Sequence, residues 1–284
     1  MKLSAAFQMG LLLFLLASNL WGQSEAEKAA ANPIAKKLSF DYQSVFNFGL
    51  PGISTPAYAG ALQPVLPVTI GPVNIINRPI LPIIGLPKFR VTGDDFILGG
   101  LPVPPDIPPS GTLVDAAGLG DLTYQLMLSP AKPGRVIWGA GTALVFPTAT
   151  NPLLGNGTFG IGPSVVALTQ LGSKTMIGAV CFNVWSYARL KDHAATNNLA
   201  LQYFVNHGLG KGWALATSPM ITVNWRNSSG DRWVMPVGGG VNKVVQKKTM
   251  AFVLRLHAYA YAVKPSSSGS WQLMFSFEPI FPLK

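Results

Sequence analysis

The sequence predicts an all-β fold, specifically a transmembrane antiparallel β-barrel of about 12 strands. Apolar and polar residues alternate with period two, the alternating segments are long, and long and short connections alternate along the chain. Charged residues make up 11% of the 284 residues, well below the roughly one quarter usual for soluble domains. High hydrophobicity without helix-length apolar runs leaves two explanations: a large soluble β core, or strands that face lipid on one side.

The N-terminus has the features of a signal peptide. Lys2 supplies a positive charge, residues 11–17 form a short apolar run, and the small residue Gly22 follows. The run is too short for a spanning helix, so we expect the chain to be exported. The predicted domains are a signal peptide at 1–23, an N-terminal periplasmic segment at 24–37 and the outer-membrane β-barrel at 38–284.

The strands are identified from the period-two pattern, which is strongest in 213–225. Trp213 and Trp225 stand at the two ends of this segment. At about 3.3 Å per residue and a tilt near 45°, it rises about 28 Å, close to the roughly 25 Å apolar band between aromatic girdles. Strands of soluble sandwiches usually have only about 5–6 residues, so this length favours a bilayer. The predicted strands are 38–48, 60–70, 73–83, 120–129, 135–147, 158–170, 175–186, 198–206, 213–225, 232–245, 249–262 and 270–281.

The connections alternate in length, as they do in outer-membrane barrels with long external loops and tight periplasmic turns. An even strand number would return both termini to the periplasm. The predicted long loops are 49–59, 84–119, 148–157, 187–197, 226–231 and 263–269. The long external loop 84–119 is rich in proline, and the sequence leaves open whether it is a mobile loop or a plug or lid over the mouth.

Prolines in several predicted strands conflict with a closed barrel, which has no free edge to accommodate them. We therefore expect each of them to lie at a bulge or a strand end. They are Pro64, Pro67, Pro147, Pro163, Pro219 and Pro236.

A series of short motifs extends over nearly all of the mature chain. The motifs include Asn32-Pro33, NRPILP at 77–82, GLGD at 118–121, WGAG at 138–141, FPTAT at 146–150, GIGP at 160–163 and WVMPVG at 233–238. In these motifs the chain resembles the bacterial outer-membrane family described as "MetA-pathway of phenol degradation", also labelled neuromedin U-like. The resemblance implies an outer-membrane barrel associated with uptake of aromatic or other hydrophobic compounds.

Motifs of catalysis and cofactor binding are weak. Residues 155–160 match GxGxxG, but a β-type alternation follows instead of a helix, so they predict a turn. His193 and His207 fall in predicted connections and His257 on a strand, without ligand spacing, HExxH or GxSxG. The sequence therefore predicts no enzyme, no cofactor and no metal, although a hydrolase assembled from separate strands remains an open alternative.

Strand parity identifies the residues expected to face the lumen, where a charge can be hydrated or paired. On the lipid side an Arg or Lys at the midplane would cost about 2–4 kcal/mol. The lumen-facing candidates are Asp41, Gln43, Arg78, Asp121, Gln125, Arg255, His257, Tyr259 and Glu278. Arg255 and Glu278 lie near one another on the last hairpin, so an internal ion pair is favoured there over direct contact with a solute.

The leading functional hypothesis is a channel or transporter-like barrel for passive passage of small solutes, including hydrophobic or aromatic ones. The alternative is a closed structural or surface-interaction barrel without transport activity. The net charge of +10 favours outer-membrane lipid and lipopolysaccharide as partners. The basic residues are scattered, so nucleic acid is not a predicted partner. The oligomeric state is left open.

Overall fold

The computed structural model of the protein describes residues 28, 30, 32–35, 37–90, 113–190, 193–247 and 250–282. In this part of the chain the strands form one antiparallel sheet, which closes because the first strand pairs with the last. The predicted signal peptide, 1–23, and the centre of the proline-rich segment, 91–112, lie outside the described residues. No helix of the described chain is long and apolar enough to cross a membrane.

Fourteen strand segments and one short 3-10 helix make up the described fold. The strands are β1 (Lys37–Phe48), β2 (Ala57–Ile70), β3 (Val73–Arg90), β4 (Leu113–Leu119), β5 (Leu122–Pro130), β6 (Val136–Phe146), β7 (Thr158–Leu171), β8 (Thr175–Arg189), β9 (Asn197–Gly210), β10 (Trp213–Thr217), β11 (Met220–Asn224), β12 (Trp233–Lys247), β13 (Met250–Val263) and β14 (Trp271–Pro282). The 3-10 helix is Pro152–Leu154. Because β4 and β5 both pair with β3, and β10 and β11 both lie between β9 and β12, the segments form a closed barrel of 12 strands.

The predicted barrel and its strand number are confirmed, whereas the predicted loop 84–119 is wrong at both ends. There β3 continues to Arg90 and β4 begins at Leu113, and the two pair as an extended hairpin, with Ile84 opposite Gly118. Pro87 lies where the register shifts between Leu86 and Phe89, so the ladder does not need its missing N–H. Proline therefore did not prevent strand structure here.

The prolines are only partly confined to bulges and strand ends. Pro219 occupies the break between β10 and β11, Pro147 follows the last residue of β6, and Pro236 lies at a register shift of β12. Pro64 and Pro163 lie inside strands instead, where the pairing of β2 with β3 and of β7 with β8 is interrupted beside them. Pro67 also lies inside β2 and is paired with Ile76, contrary to the prediction.

The break at Ser218 and Pro219 corrects the expectation of one continuous face along 213–225. Trp213 is exposed at the start of β10, but after the break Met220 is exposed and Val223 is buried. An irregularity in a strand shifts the alternation by one residue and turns the later side chains to the opposite face. Apolar residues at 219, 221 and 223 therefore do not continue the outward face.

The outer surface of the barrel carries large apolar side chains in alternation with inward polar ones. In β14, for example, Trp271, Phe275 and Phe277 are exposed, while Ser276 and Glu278 are buried. Exposed tryptophans occur near both ends of the barrel. They are Trp138 and Trp213 toward the short turns, and Trp185, Trp225, Trp233 and Trp271 toward the long loops. This distribution is that of a bilayer-spanning barrel with aromatic girdles.

Candidate lumenal site

The strands on one side of the barrel direct a network of charged side chains into the lumen. Arg255 of β13 donates to Asp41 of β1 at 3.2 Å and to Ser276 of β14 at 2.9 Å, and it also pairs with Glu278. Glu278 forms a second ion pair with Lys37 at 2.9 Å, and both of these side chains are buried. The predicted ion pair of Arg255 with Glu278 is therefore present, and it belongs to a larger network.

Arg78 of β3 lies beside this network but is held by amides. Its guanidinium donates to the carbonyl oxygen of Gln63 at 2.6 Å and to that of Gln125 at 3.2 Å. The amide nitrogens point away from the arginine, since Gln63 donates to Gln43 at 3.5 Å and Gln125 donates to Ser164 at 3.4 Å. The amide oxygens are thus fixed as acceptors, and they hold the guanidinium in one place.

Both groups border a cavity of about 120 Å³ inside the barrel. Asp41, Gln43, Arg78, Arg255 and Glu278, all predicted to face the lumen, line it. The opposite wall is formed by β8, β9, β10 and β12 and is partly apolar, with Val180 and Phe204 among its residues. The cavity is therefore charged on one side and mixed on the other.

An apolar cluster, which we call the floor, lies in the half of the lumen next to the short turns. Its members are Ile34, Val65, Ile76, Met127, Val166, Leu168, Met176 and Val180. Ile34 comes from the segment that precedes β1, and Ala30 of the same segment packs against the buried cluster of β13 and β14. The described residues Ala30 and Ile34 therefore contact different parts of the barrel wall from inside, where the sequence predicted only a periplasmic segment.

His257 and Tyr259, two further candidates, form a separate buried chain of hydrogen bonds. The His257 ring bonds Asn242 at 2.8 Å and the Tyr259 hydroxyl at 2.7 Å. The backbone N–H of Ser218 donates to the same hydroxyl at 3.0 Å. Because Ser218 lies at the break between β10 and β11, this chain holds the irregular strand against β12 and β13.

Asp121 lies apart from the other candidates, at the loop end of the barrel between β4 and β5. Its carboxylate accepts hydrogen bonds from the backbone N–H groups of Ala149 at 3.1 Å and of Asn156 at 2.6 Å. Burial raises the pKa of this carboxyl, and the backbone donors oppose the shift. Asp121 thus fastens the loop after β6, whose Leu154 is buried with residues of the loop after β1.

Several site residues were not among the candidates. Gln63 could have been found from strand parity in β2, and Lys37 from starting β1 one residue earlier. Ile34 carried no periodic signal, because it precedes the first strand. His207 lies in β9 and contacts Thr175, so its predicted position in a connection is wrong. Among the described residues no group of three or more His, Cys, Asp or Glu could hold a metal ion.

Comparison with known proteins shows which solved structures share this fold. The sequence matches no protein-family model and no curated relative. Among solved structures, the chain is similar to the COG4313 outer membrane channel from Pseudomonas putida F1, with a TM-score of 0.60 and 15% identity over 88% of this chain and 99% of that one. It is also similar to the NanC porin, with a TM-score of 0.51 and 9% identity over 86% of this chain and 100% of that one. At these identities the likeness shows the fold alone, a closed antiparallel β-barrel like those of outer-membrane proteins.

Proposed function

We propose that the protein is an outer-membrane channel through which small solutes, including hydrophobic or aromatic ones, pass without energy coupling. The observation that supports this most directly is the cavity inside the barrel, which is lined by charged and amide side chains. A barrel whose only role was structural could fill this space with apolar side chains, and so avoid the cost of desolvating charges. The proposed location follows from the apolar outer surface and its aromatic girdles.

The solute class and the partners are part of the same proposal. The motif series that resembles the MetA-pathway family supports hydrophobic or aromatic solutes. The net charge of +10 supports contact with anionic lipid and lipopolysaccharide. Basic residues on the long-loop side support it as well, at strand ends or in loops: Arg189, Arg226 and Arg232.

The floor favours a second candidate, a closed barrel without transport activity. Ile34 is 4% exposed and belongs to one cluster with apolar residues of β2, β3, β5, β7 and β8. In the described conformation a solute in the cavity meets this floor before it reaches the short-turn end. Passage along the whole length of the lumen therefore requires the N-terminal segment to leave it, whereas the closed-barrel alternative requires the segment to stay.

Single-channel recording in planar bilayers separates the two candidates. We would compare the mature protein with a variant lacking residues 24–35 and with Ile34→Ala. Ile53→Ala is the matched control, because Ile53 packs at the loop end of the barrel and not in the floor. We expect brief conductance steps for the mature protein, longer openings for both N-terminal variants, and unchanged openings for the control. A silent truncated barrel that is correctly folded would refute the channel and support the closed role.

A further inference from the structure

We propose that Arg78 and the apolar residues across the cavity form a binding site for a small organic monocarboxylate, an anion with one carboxylate on an apolar body. The inference rests on the proposed channel function, because the lumen is the route by which such a solute would reach the site. It assigns to Arg78 the role of recognising the carboxylate.

In the part of the chain that the structure describes, Arg78 forms no ion pair, although Asp41 and Glu278 lie near enough to favour its charge. Among the described residues, Lys37 pairs with Glu278, and Arg255 pairs with both Asp41 and Glu278. Arg78 takes part in none of these ion pairs. Of the described residues that line the cavity, three are cations and two are carboxylates, so this group has a formal charge of 3 − 2 = +1. One additional negative charge at Arg78 would neutralise the group.

The geometry of Arg78 suits a carboxylate. A guanidinium has five N–H donors in a rigid fork that matches two carboxylate oxygens. Within the described part of the chain, two of its nitrogens donate to Gln63 and Gln125, one N–H each, which leaves three donors. The two amides hold the fork in place, so little side-chain freedom would be lost when an anion binds.

The opposite wall offers a surface for an apolar body. Val180 and Phe204 of this wall line the same cavity as Arg78, and so does Val65 of β2. The cavity of about 120 Å³ is somewhat smaller than the cavity of about 150 Å³ that holds benzene in another protein, so a short chain fits and a single ring is near the upper limit of size. Asp41 and Glu278 border the cavity too, and their charges would oppose a dianion such as a phosphate ester. Size and charge together favour a compact monocarboxylate.

Isothermal titration of the folded, detergent-solubilised full chain with benzoate tests the site. Benzyl alcohol serves as the neutral analogue, and Arg78→Gln and Arg78→Lys as the site variants. Lys243→Gln is the control, because it removes the same charge from a side chain that lies over the Trp213 ring and donates to the backbone of Lys211 at a short turn. Folding of each variant is checked by its heat-dependent gel mobility.

We expect benzoate to bind the parent chain at least about tenfold more tightly than benzyl alcohol, since a hydrogen bond to a charged group contributes about 1.5–3 kcal/mol. We expect Arg78→Gln to lose at least about tenfold in benzoate affinity, Arg78→Lys to lose less, and Lys243→Gln to bind like the parent. Absence of benzoate binding to the folded parent, or equal losses in Arg78→Gln and Lys243→Gln, would overturn the site. Conductance of the same preparations without benzoate tests the channel separately. Conductance without binding rejects the site alone, and binding without conductance rejects the channel while supporting the site.

Discussion

Glu278 pairs with two cations in the lumen, and we expect Glu278→Gln to destabilise the barrel by about 3 kcal/mol. Its carboxylate receives Lys37 at 2.9 Å and is paired with Arg255, and the side chains of Lys37 and Glu278 are only 3% and 6% exposed. Removing one partner of a buried pair costs about 3–5 kcal/mol because the other charge stays buried. The lower value applies here, since glutamine keeps an oxygen acceptor and Arg255 keeps Asp41 at 3.2 Å.

A double-mutant cycle with Lys37→Met isolates the interaction. Free energies of unfolding would be measured by urea titration of the protein in lipid vesicles, with tryptophan fluorescence as the signal. We expect a coupling energy above about 1 kcal/mol between Lys37 and Glu278, as is usual for residues in one network. Lys247→Met, at an exposed strand end, should change stability by less than about 0.5 kcal/mol. A coupling energy below about 0.5 kcal/mol would show that water hydrates the Lys37–Glu278 pair and that its burial does not strengthen it.

Three further predictions concern packing and hydrogen bonds. Gly240→Ala should destabilise the barrel by about 3 kcal/mol or more, because a Cβ there would lie 1.9 Å from a backbone oxygen of β13. Gly134→Ala is the control: a Cβ at Gly134 meets open space, so this variant should be neutral in the same urea titration. Asp121→Ala should free the loop after β6 and speed its cleavage in limited proteolysis, and an unchanged rate would contradict the role of Asp121. Tyr259→Phe leaves the Ser218 N–H without its acceptor, so it should lower the free energy of unfolding in the urea titration by about 1–3 kcal/mol. An unchanged free energy of unfolding would show that water replaces the hydroxyl.

The strands could be predicted because their signal is local. In β1 and β14, outward Phe40 and Phe275 alternate with inward Asp41 and Ser276. The direction of each side chain therefore follows from those of its neighbours in sequence. Turns were marked by glycine and proline in the same local way, as at Gly71, whose φ of 56° suits the turn between β2 and β3. Local patterns of this kind established both the class and the strand number.

The site could be predicted only in part, because its contacts join distant strands. Parity placed Arg78 and Gln125 on inward faces, but their contact depends on the register between β3 and β5. After Ser218 the alternation shifts by one residue, and the irregular strand turns Val223 inward. Such a local shift leaves no apolar signal in the sequence, so strand parity could not predict it. Ile34 was missed for a third reason: a segment without period-two alternation gives no indication of which surface it will cover.

The energy that holds the N-terminal segment in the lumen sets how a channel of this kind would behave. Burying an isoleucine side chain contributes about 1.5–3 kcal/mol, and Ile34 is the segment's largest described contribution to the floor. A difference of a few kcal/mol leaves the displaced state at about 0.1–10% of the population, which corresponds to a channel that is mostly closed and opens briefly. Truncating Ile34 to alanine removes more than about 1.4 kcal/mol of this contact, so the open-to-closed ratio should rise at least about tenfold. An open probability in Ile34→Ala equal to that of the parent would mean that the floor does not gate the lumen, and that solutes pass by a route that avoids the N-terminal segment.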